Sequence, residues 1–475
     1  MGPGRVYISK TNSNKSILSL PLSSTPPLKL FINLLPLVPP PPPPPRRFCF
    51  PATPFLLHTS LEINGSKPPN IFLLAIHCFA LYYKYINSLF DNICMLPEMG
   101  SNSTADGTYN IENEETEIQY LQKGVRHLCE RGLTRVPSKY ILPVQERPDL
   151  GDTGNASKHN LKLPVIDFTQ LQGSNRSQVI ESLANACEEF GFFQLINHGI
   201  KDDVILEIID VSRRFFELPF NERSKYMSKD ISSPARYGTS FNQNNDKVFC
   251  WRDFLKLGCH PLQDTVSCWP SSPADLREAV VNYSKSTKFL YLMLMEAIME
   301  SLGLVEATKG GEGKGSLEDF EDGSQLIVAN CYPACPEPDL TLGMPPHSDY
   351  GLLTLLLQDE VGGLQIQNQG SWVTVEPLPN SFVVNVGDHL EIFSNGRYKS
   401  VVHRVLVNSC KSRISVASLH SLPFKSTVRP SPKLIDEANP TRYKDTDFAS
   451  FLQYISNSSH DEMDAKTFLQ SRKLT

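Results

Sequence analysis

The chain has 475 residues, of which 40% are hydrophobic and 20% charged, with a formal net charge of −6. This length allows more than one domain and a large buried core. The modest charge, and the lack of a basic patch interleaved with aromatic residues, argue against binding to nucleic acid or to an anionic membrane. The 11 cysteines include no CxxC pair, which disfavours a disulfide framework and indicates a reducing compartment.

Residues 1–98 differ in composition from the rest of the chain. No acidic residue occurs from Met1 to Leu61, and the seven prolines Pro39–Pro45 form a stiff run that cannot pack into a core. The apolar stretch Ile71–Tyr82 is only about half as long as a membrane span. We expect an unstructured leader without stable membrane insertion. A transit segment and a membrane anchor compete with the favoured interpretation, an over-extended gene prediction before Met99.

Residues 99–303 read as a polar segment followed by a mostly helical domain. The polar segment, 99–160, contains one helix predicted over Glu117–Arg131. For the domain at 161–303, the pattern predicts short strands at Leu163–Phe168 and Phe192–Ile196, and helices over Ser177–Phe190, Lys201–Leu218 and Pro273–Leu302. The Gly-rich, charged residues 304–324 are predicted to be a mobile loop.

The composition changes at residue 325. Short runs rich in Val, Ile and Leu, separated by Gly, Pro, Asn and Ser, follow as far as residue 425: LIVANCY, LLTLLLQ, LQIQ, WVTVEPL, SFVVNVG, HRVLV and ISVASL. This pattern predicts an antiparallel β sandwich or barrel. Residues 426–475 are predicted to form a helical tail.

A candidate metal site lies within the β region. If His347 and Asp349 belong to one strand, they point to the same face and can bind one ion together. His403 follows 54 residues after Asp349, on what would be a neighbouring strand. Two His and one carboxylate leave open positions on Fe(II) for a co-substrate and O₂. An HxD pair also occurs by chance, Zn accepts the same ligands, and His389 could instead pair with Asp388.

A basic residue ten positions beyond His403 favours iron over zinc. Arg413 and Ser415 share a strand face. A guanidinium group binds a carboxylate with two hydrogen bonds, and a hydroxyl group can share that carboxylate. The apolar run Ile414–Leu419 suggests that Arg413 is partly buried, and a buried Arg needs an anion. A dicarboxylate co-substrate provides one.

The order of these motifs resembles that of the plant 2-oxoglutarate/Fe(II)-dependent dioxygenases. The similarity extends to Asn330-Cys331-Tyr332-Pro333, to LPVIDF, to the stretch at 186–200, and to WRDFLKL at 251–257, and it covers residues 120–455. It implies an α+β fold with a double-stranded β-helix (jelly-roll) core at 325–425, an N-terminal helical domain and flanking helices. WRDFLKL resembles the branch of flavanone 3-hydroxylase-like and salicylate-hydroxylase-like proteins.

The resemblance also implies roles for individual residues. His347, Asp349 and His403 would hold iron, and no catalytic residue is expected beyond this metal centre. Arg413, Ser415, Asn330 and Tyr332 would bind 2-oxoglutarate. Substrate would contact the five positions Phe254, Lys256, Val328, Leu419 and Ser421. Lys256 could pair with a substrate carboxylate, although a solvated Lys at the pocket rim is an equal alternative.

The implied activity is hydroxylation or desaturation of a small plant metabolite, a flavonoid or a phenolic or hormone acid, in secondary metabolism. Fe(II), 2-oxoglutarate and O₂ are the expected cofactors and co-substrates, with ascorbate as reductant. The alternatives are an aminocyclopropane-carboxylate-oxidase type of enzyme that uses ascorbate, a zinc hydrolase, and a non-enzymatic jelly-roll binding protein. We expect a cytoplasmic monomer, or a plastid protein if residues 1–98 are a transit segment.

Overall fold

The structure is a computed structural model that divides the chain into two units, Met1–Gly107 and Thr108–Thr475. It describes residues 7–10, 15–19, 30–33, 116–148, 162–240, 243, 246–305, 318–447, 450–451 and 467–474. In the first unit, β1 (Tyr7–Lys10), β2 (Lys15–Ser19) and β3 (Leu30–Asn33) form an antiparallel sheet where the sequence predicted an unstructured leader. Their Ile, Leu and Phe residues favour strands. The proline run and the apolar stretch lie outside the described residues.

The second unit begins with two short helices, α1 (Glu117–Leu121) and α2 (Val125–Glu130), instead of the single helix predicted over Glu117–Arg131. The break is at Gly124, where φ is +104° and a Cβ would lie 2.7 Å from Oδ1 of Asp253. The Asp253 carboxylate accepts hydrogen bonds from the first two backbone N–H groups of α2, at 2.8 and 3.0 Å. It therefore caps that helix and requires glycine beside it.

The predicted long helices are confirmed to within a few residues. The described helices that follow α2 are α3 (Arg176–Asn185), α4 (Asp202–Glu217), α5 (Phe220–Arg223), α6 (Leu262–Thr265), α7 (Leu276–Ser301), α8 (Glu318–Glu321), α9 (Asp388–Phe393) and α10 (Thr467–Ser471). A π-helical turn continues α3 to Phe190 and ends at Gly191, where φ is +63°. The apolar faces of α4 and α7 pack against each other and against the large sheet.

Most strands of the second unit match the predicted strands and apolar runs, but no strand was predicted at Ala235–Thr239, Asp253–Gly258, Thr427–Val428 or Thr446–Asp447. The strands are β4 (Val165–Asp167), β5 (Phe192–Ile196), β6 (Ala235–Thr239), β7 (Asp253–Gly258), β8 (Gln325–Tyr332), β9 (Met344–His347), β10 (Leu353–Gln358), β11 (Leu364–Asn368), β12 (Ser371–Thr374), β13 (Phe382–Val386), β14 (His403–Val405), β15 (Arg413–His420), β16 (Thr427–Val428) and β17 (Thr446–Asp447).

Two sheets form the core of this unit. The large sheet has the order β4-β5-β13-β10-β15-β8-β7-β6, and the small sheet has the order β12-β11-β14-β9. One hydrophobic cluster joins them, because Phe192 and Val383 of the large sheet pack with Leu364, Ile366 and Val373 of the small sheet. Among the described strands of these two sheets, neighbours pair antiparallel except β4 with β5. The predicted double-stranded β-helix core is confirmed.

Two segments differ from the sequence-based expectation. Near the end of the predicted mobile loop at 304–324 lies α8, whose buried Phe320 joins the main hydrophobic core, while residues 306–317 of that loop lie outside the described residues. The predicted helical tail at 426–475 begins instead with the paired strands β16 and β17. In the part of the chain that the structure describes, none of the helices is both long enough and apolar enough to cross a membrane.

Candidate active site

Two histidines meet on the small sheet. β9 is an edge strand, as expected for a strand in which Pro345 and Pro346 lack backbone N–H groups. It pairs with β14 so that His347 lies opposite His403, with ring centroids 4.2 Å apart. Nδ1 of His347 is 2.8 Å from the Pro345 carbonyl, and Nδ1 of His403 is 3.2 Å from the Val401 carbonyl. Because a carbonyl only accepts, each Nδ1 carries the proton and each Nε2 presents a lone pair.

Asp349 completes this group, but not from the strand position that was expected. β9 ends at His347, so Asp349 lies in the following loop. Its Oδ1 is 3.8 Å from Nε2 of both histidines. The loop approaches the end of β13 closely, since a Cβ on Gly387 would lie 2.2 Å from the Gly351 carbonyl oxygen. Tertiary packing, and not strand alternation, therefore brings the carboxylate to the histidines.

The second carboxylate oxygen of Asp349 accepts a hydrogen bond from a neighbouring strand. Asn385 on β13 donates from Nδ2 to this Oδ2 at 2.8 Å. Burial raises the pKa of the Asp349 carboxyl, but the positive charge of His403 and His347 when these rings are protonated, together with hydrogen bonds from Asn385 and Thr354, leaves that pKa net lowered. Asn385 was missed in the sequence, where its only signal is a polar residue within the apolar run SFVVNVG.

These three side chains fit a divalent cation. One atom from each lies within 4.8 Å of the others. Two neutral imidazoles and one carboxylate on one side of an ion suit Fe(II) with open positions, and they also suit Zn. His389 is not part of this group. It is buried, Ser421 Oγ lies 2.9 Å from its Nδ1, and burial lowers its pKa to about 3.

A buried guanidinium lies in the same cavity. Arg413, at the start of β15, is 2% exposed. It donates to the Val361 carbonyl at 3.1 Å, to Gln358 Oε1 at 2.9 Å and to Ser415 Oγ at 3.3 Å. Its charge also lies 5.2 Å from the ring centroid of Tyr332. All these partners are neutral. Within the described chain, no carboxylate lies at ion-pair distance, so a bound anion would neutralise this charge.

Asn330 is held beside this guanidinium in one orientation. Ser415 lies opposite Asn330 in the pairing of β15 with β8. Nε of Arg252 donates to Asn330 Oδ1 at 2.8 Å, and since Arg has no acceptor, the amide nitrogen points toward Ser415 Oγ, 3.5 Å away. Arg252 is 6% exposed and was also missed in the sequence, although it belongs to the run WRDFLKL.

All the residues predicted for the site line one cavity of about 410 Å³ between the two sheets. The three candidate metal ligands and the residues predicted to bind 2-oxoglutarate are among them. So are the five predicted substrate positions, Phe254, Lys256, Val328, Leu419 and Ser421. The cavity also contains Arg236, which the sequence did not single out. Lys256 is partly buried, and its Nζ donates to the Ile231 carbonyl.

Comparison with known proteins places these features in a family. Residues 323–421 match the model of the 2OG-Fe(II) oxygenase superfamily. Residues 163–274 match the model described as the N-terminal region of the non-haem dioxygenase in morphine synthesis. Over 332 residues the chain is 40% identical to Protein DMR6-LIKE OXYGENASE 2 of Arabidopsis thaliana, covering 69% of this chain and 91% of that protein.

A rice enzyme and a solved structure extend the comparison. Flavanone 3-dioxygenase 2 of Oryza sativa subsp. japonica is 38% identical over 328 residues, which cover 69% of this chain and 92% of the relative. The crystal structure of JOX2 in complex with 2OG, Fe and JA matches with a TM-score of 0.64 and 31% identity. That match covers 74% of this chain and 98% of JOX2. The chain therefore belongs to the 2OG-Fe(II) oxygenase superfamily and is an iron- and 2-oxoglutarate-dependent dioxygenase.

Proposed function

We propose that this dioxygenase hydroxylates or desaturates a small plant metabolite, a flavonoid or a phenolic or hormone acid, in the cavity between its two sheets. One observation carries the assignment of the residues. The convergent ligand atoms of His347, Asp349 and His403 share that cavity with the buried guanidinium of Arg413, whose hydrogen-bond partners in the described part of the chain are all neutral. A zinc hydrolase would have no use for this guanidinium.

In this proposal the three ligands hold Fe(II), and the chain supplies their orientation. The backbone carbonyls behind His347 and His403 keep each Nε2 unprotonated, while Asn385 keeps Oδ1 of Asp349 directed at the metal position. When bound, iron supplies the oxidising chemistry with O₂ and 2-oxoglutarate. No side chain acts as a catalytic acid or base in the proposal.

Arg413 and Ser415 bind the distal carboxylate of 2-oxoglutarate in this proposal. Arg413 donates from its planar guanidinium and Ser415 from its hydroxyl. Asn330 offers its amide N–H groups to the co-substrate, because Arg252 occupies its oxygen. Tyr332 packs beneath Arg413 with its ring, so it contributes more to holding the guanidinium than to hydrogen bonding.

Apolar side chains line much of the remaining cavity and exclude water from the reacting atoms. Leu356, Leu364, Val405, Ala417 and Leu419 belong to this lining. The names of relatives guide the substrate class: one is a flavanone 3-dioxygenase, and JOX2 was crystallised with JA. Ascorbate as reductant, a monomeric state and a cytoplasmic location stay predictions from the sequence.

The proposal is tested with the full chain under anaerobic conditions. Addition of Fe(II) and 2-oxoglutarate should produce a weak visible metal-to-ligand charge-transfer band, and His347→Ala should abolish it. With O₂, succinate release should depend on 2-oxoglutarate and increase with a phenolic acid or a flavanone. Turnover that needs ascorbate and bicarbonate but no 2-oxoglutarate would instead favour the aminocyclopropane-carboxylate-oxidase type.

A further inference from the structure

The cavity has a cationic end formed by the strands at the edge of the large sheet. Arg236 on β6 lies opposite Lys256 on β7, and Lys256 lies opposite Val328 on β8. The adjacent row on the same sheet face contains Phe254, opposite Asn330. Arg236 and Lys256 therefore lie one row beyond the residues assigned to 2-oxoglutarate, in the part of the cavity left for substrate.

Arg236 is buried, and its guanidinium group does not make all the hydrogen bonds it could make within the described chain. It is 5% exposed, and its Nε donates to the Ser228 carbonyl at 2.9 Å. Its Nη2 is buried and has no hydrogen-bond partner among the residues that the structure describes. A buried donor without an acceptor is costly, and natural proteins keep such groups mainly where a ligand or water supplies the acceptor. The unpartnered nitrogen belongs to a side chain that lines the cavity.

Several charged side chains surround this end of the cavity. Arg252 is a third cation, and the guanidinium groups of Arg236 and Arg252 lie 5.1 and 4.8 Å from the Phe254 ring centroid. Asp230 and Asp246 act on Arg236 from the surrounding segments with the opposite sign. Lys256 is the other cation at this end, and Asp253 acts on Arg252 as a third carboxylate. An anionic ligand is therefore indicated by the donors of Arg236 and Lys256 that line the cavity, and not by a net charge.

We propose that Arg236 and Lys256 bind the carboxylate of an otherwise apolar substrate, so that the substrate is a monocarboxylic acid and not a neutral flavonoid. The inference rests on the proposed function and selects one of its two substrate classes. A carboxylate accepts from the unpartnered Nη2 of Arg236 and from the ammonium of Lys256, and both bonds are charge-assisted. The apolar body then lies along Val328 and Leu419 and directs its far end toward the metal position.

The supporting electrostatics come from burial. Desolvation lowers the pKa of the Arg236 guanidinium, and Arg252 adds to this effect. Desolvation also lowers the pKa of Lys256 to about 8, with a contribution from Arg236 that Asp230 opposes. An anion bound between Arg236 and Lys256 would stabilise their protonated forms, and these charged forms would in turn strengthen binding of the anion.

The experiment compares acids with their methyl esters. The full chain is loaded with Fe(II) and 2-oxoglutarate without oxygen, and binding is measured by titration calorimetry. The probes are benzoate, salicylate and cinnamate, their methyl esters, and a neutral flavanone. The absorption band of the iron–2-oxoglutarate complex is recorded in parallel as the test of the proposed function. The wild-type protein is expected to bind the best acid about 10- to 100-fold more tightly than its ester.

Three substitutions locate the effect. Arg236→Met and Lys256→Met each remove a cation from the cavity lining and are expected to weaken acid binding about tenfold or more without changing ester affinity. Lys229→Met is the matched control, because Lys229 is an exposed cation near the same segment and does not line the cavity. It should leave both affinities unchanged. Arg236→Lys should retain part of the preference for the acid.

Each other outcome overturns the inference. Tighter binding of esters or of the flavanone to the wild-type protein excludes an anion site. A preference for acids that survives both Met substitutions places the site elsewhere. If no acid binds although the absorption band is normal, the inference is overturned but the proposed function is not. Absence of the band contradicts the proposed function on which it depends.

Discussion

Replacement of Asn385 tests how the candidate iron site is held. Asn385 donates to Oδ2 of Asp349 at 2.8 Å and is 2% exposed, so water does not readily take over this hydrogen bond. Oδ1 of the same carboxylate lies 3.8 Å from Nε2 of His347 and of His403. In Asn385→Val the strand is retained, because Val favours strands, but the carboxylate loses the partner that fixes its rotation.

The magnitude follows from the burial of this hydrogen bond. A hydrogen bond to a buried charged group is worth about 1.5–3 kcal/mol. Loss of a partner behind a metal ligand typically lowers metal affinity by about 10- to 100-fold. We therefore expect Asn385→Val to bind Fe(II) about 10- to 100-fold more weakly than the wild-type protein. Asn385→Asp should also bind weakly below neutral pH, because two adjacent carboxylates raise the pKa of the pair and a proton competes with the metal.

Anaerobic competition with a colorimetric iron chelator measures these affinities. Gln325→Leu is the matched control: Gln325 is also a buried amide, and it donates to Ser284 at 3.0 Å without lining the cavity. The control should lose thermal stability but keep its iron affinity. If Asn385→Val bound iron within about twofold of the wild type, with normal circular dichroism, the argument that Asn385 positions Asp349 would be refuted.

Three further predictions concern co-substrate binding and stability. Arg413→Ala should raise the dissociation constant of 2-oxoglutarate about 100-fold or more, because breaking a buried ion pair costs about 3–5 kcal/mol; an unchanged constant in a titration of the charge-transfer band contradicts the assignment. Lys256→Met should raise the free energy of unfolding by up to about 3 kcal/mol at neutral pH, because burial lowers the Lys256 pKa from 10.5 to about 8. Between those two values the unfolded chain holds the extra proton, so wild-type stability rises with pH and the advantage of the variant shrinks. Chemical denaturation across this pH range measures the difference in unfolding free energy between the variant and the wild type. A difference that does not change with pH would contradict the argument that burial lowers the Lys256 pKa. Gly124→Ala should lower the free energy of unfolding by more than about 3 kcal/mol, and its control Gly132→Ala should lower it by about 1–2 kcal/mol. The first places a Cβ 2.7 Å from Asp253, whereas the second has nothing within 4 Å. Equal losses in thermal melts would exclude the steric cause.

The sequence by itself grouped the residues that carry distinctive chemistry. His347, Asp349, His403, Arg413 and Ser415 are few and polar within a region of apolar runs, so their spacing singled them out. The long helices and the strands of the β region were predicted for a similar reason. Hydrophobic periodicity depends on which face a residue buries, and that information is local.

Only the tertiary structure showed which other polar residues lie in the same cavity as the candidate ligands. Asn385 on β13, Arg252 immediately before β7 and Arg236 on β6 reach one cavity because a single sheet contains β13 together with β6 and β7, which lie far from β13 in the chain. Asp349 reaches the histidines from a loop, and Gly124 breaks a predicted helix because a carboxylate from β7 needs the space. These placements depend on contacts between distant segments. No local pattern of residues encodes such contacts, so the sequence identified the candidate ligands but not the groups that hold them.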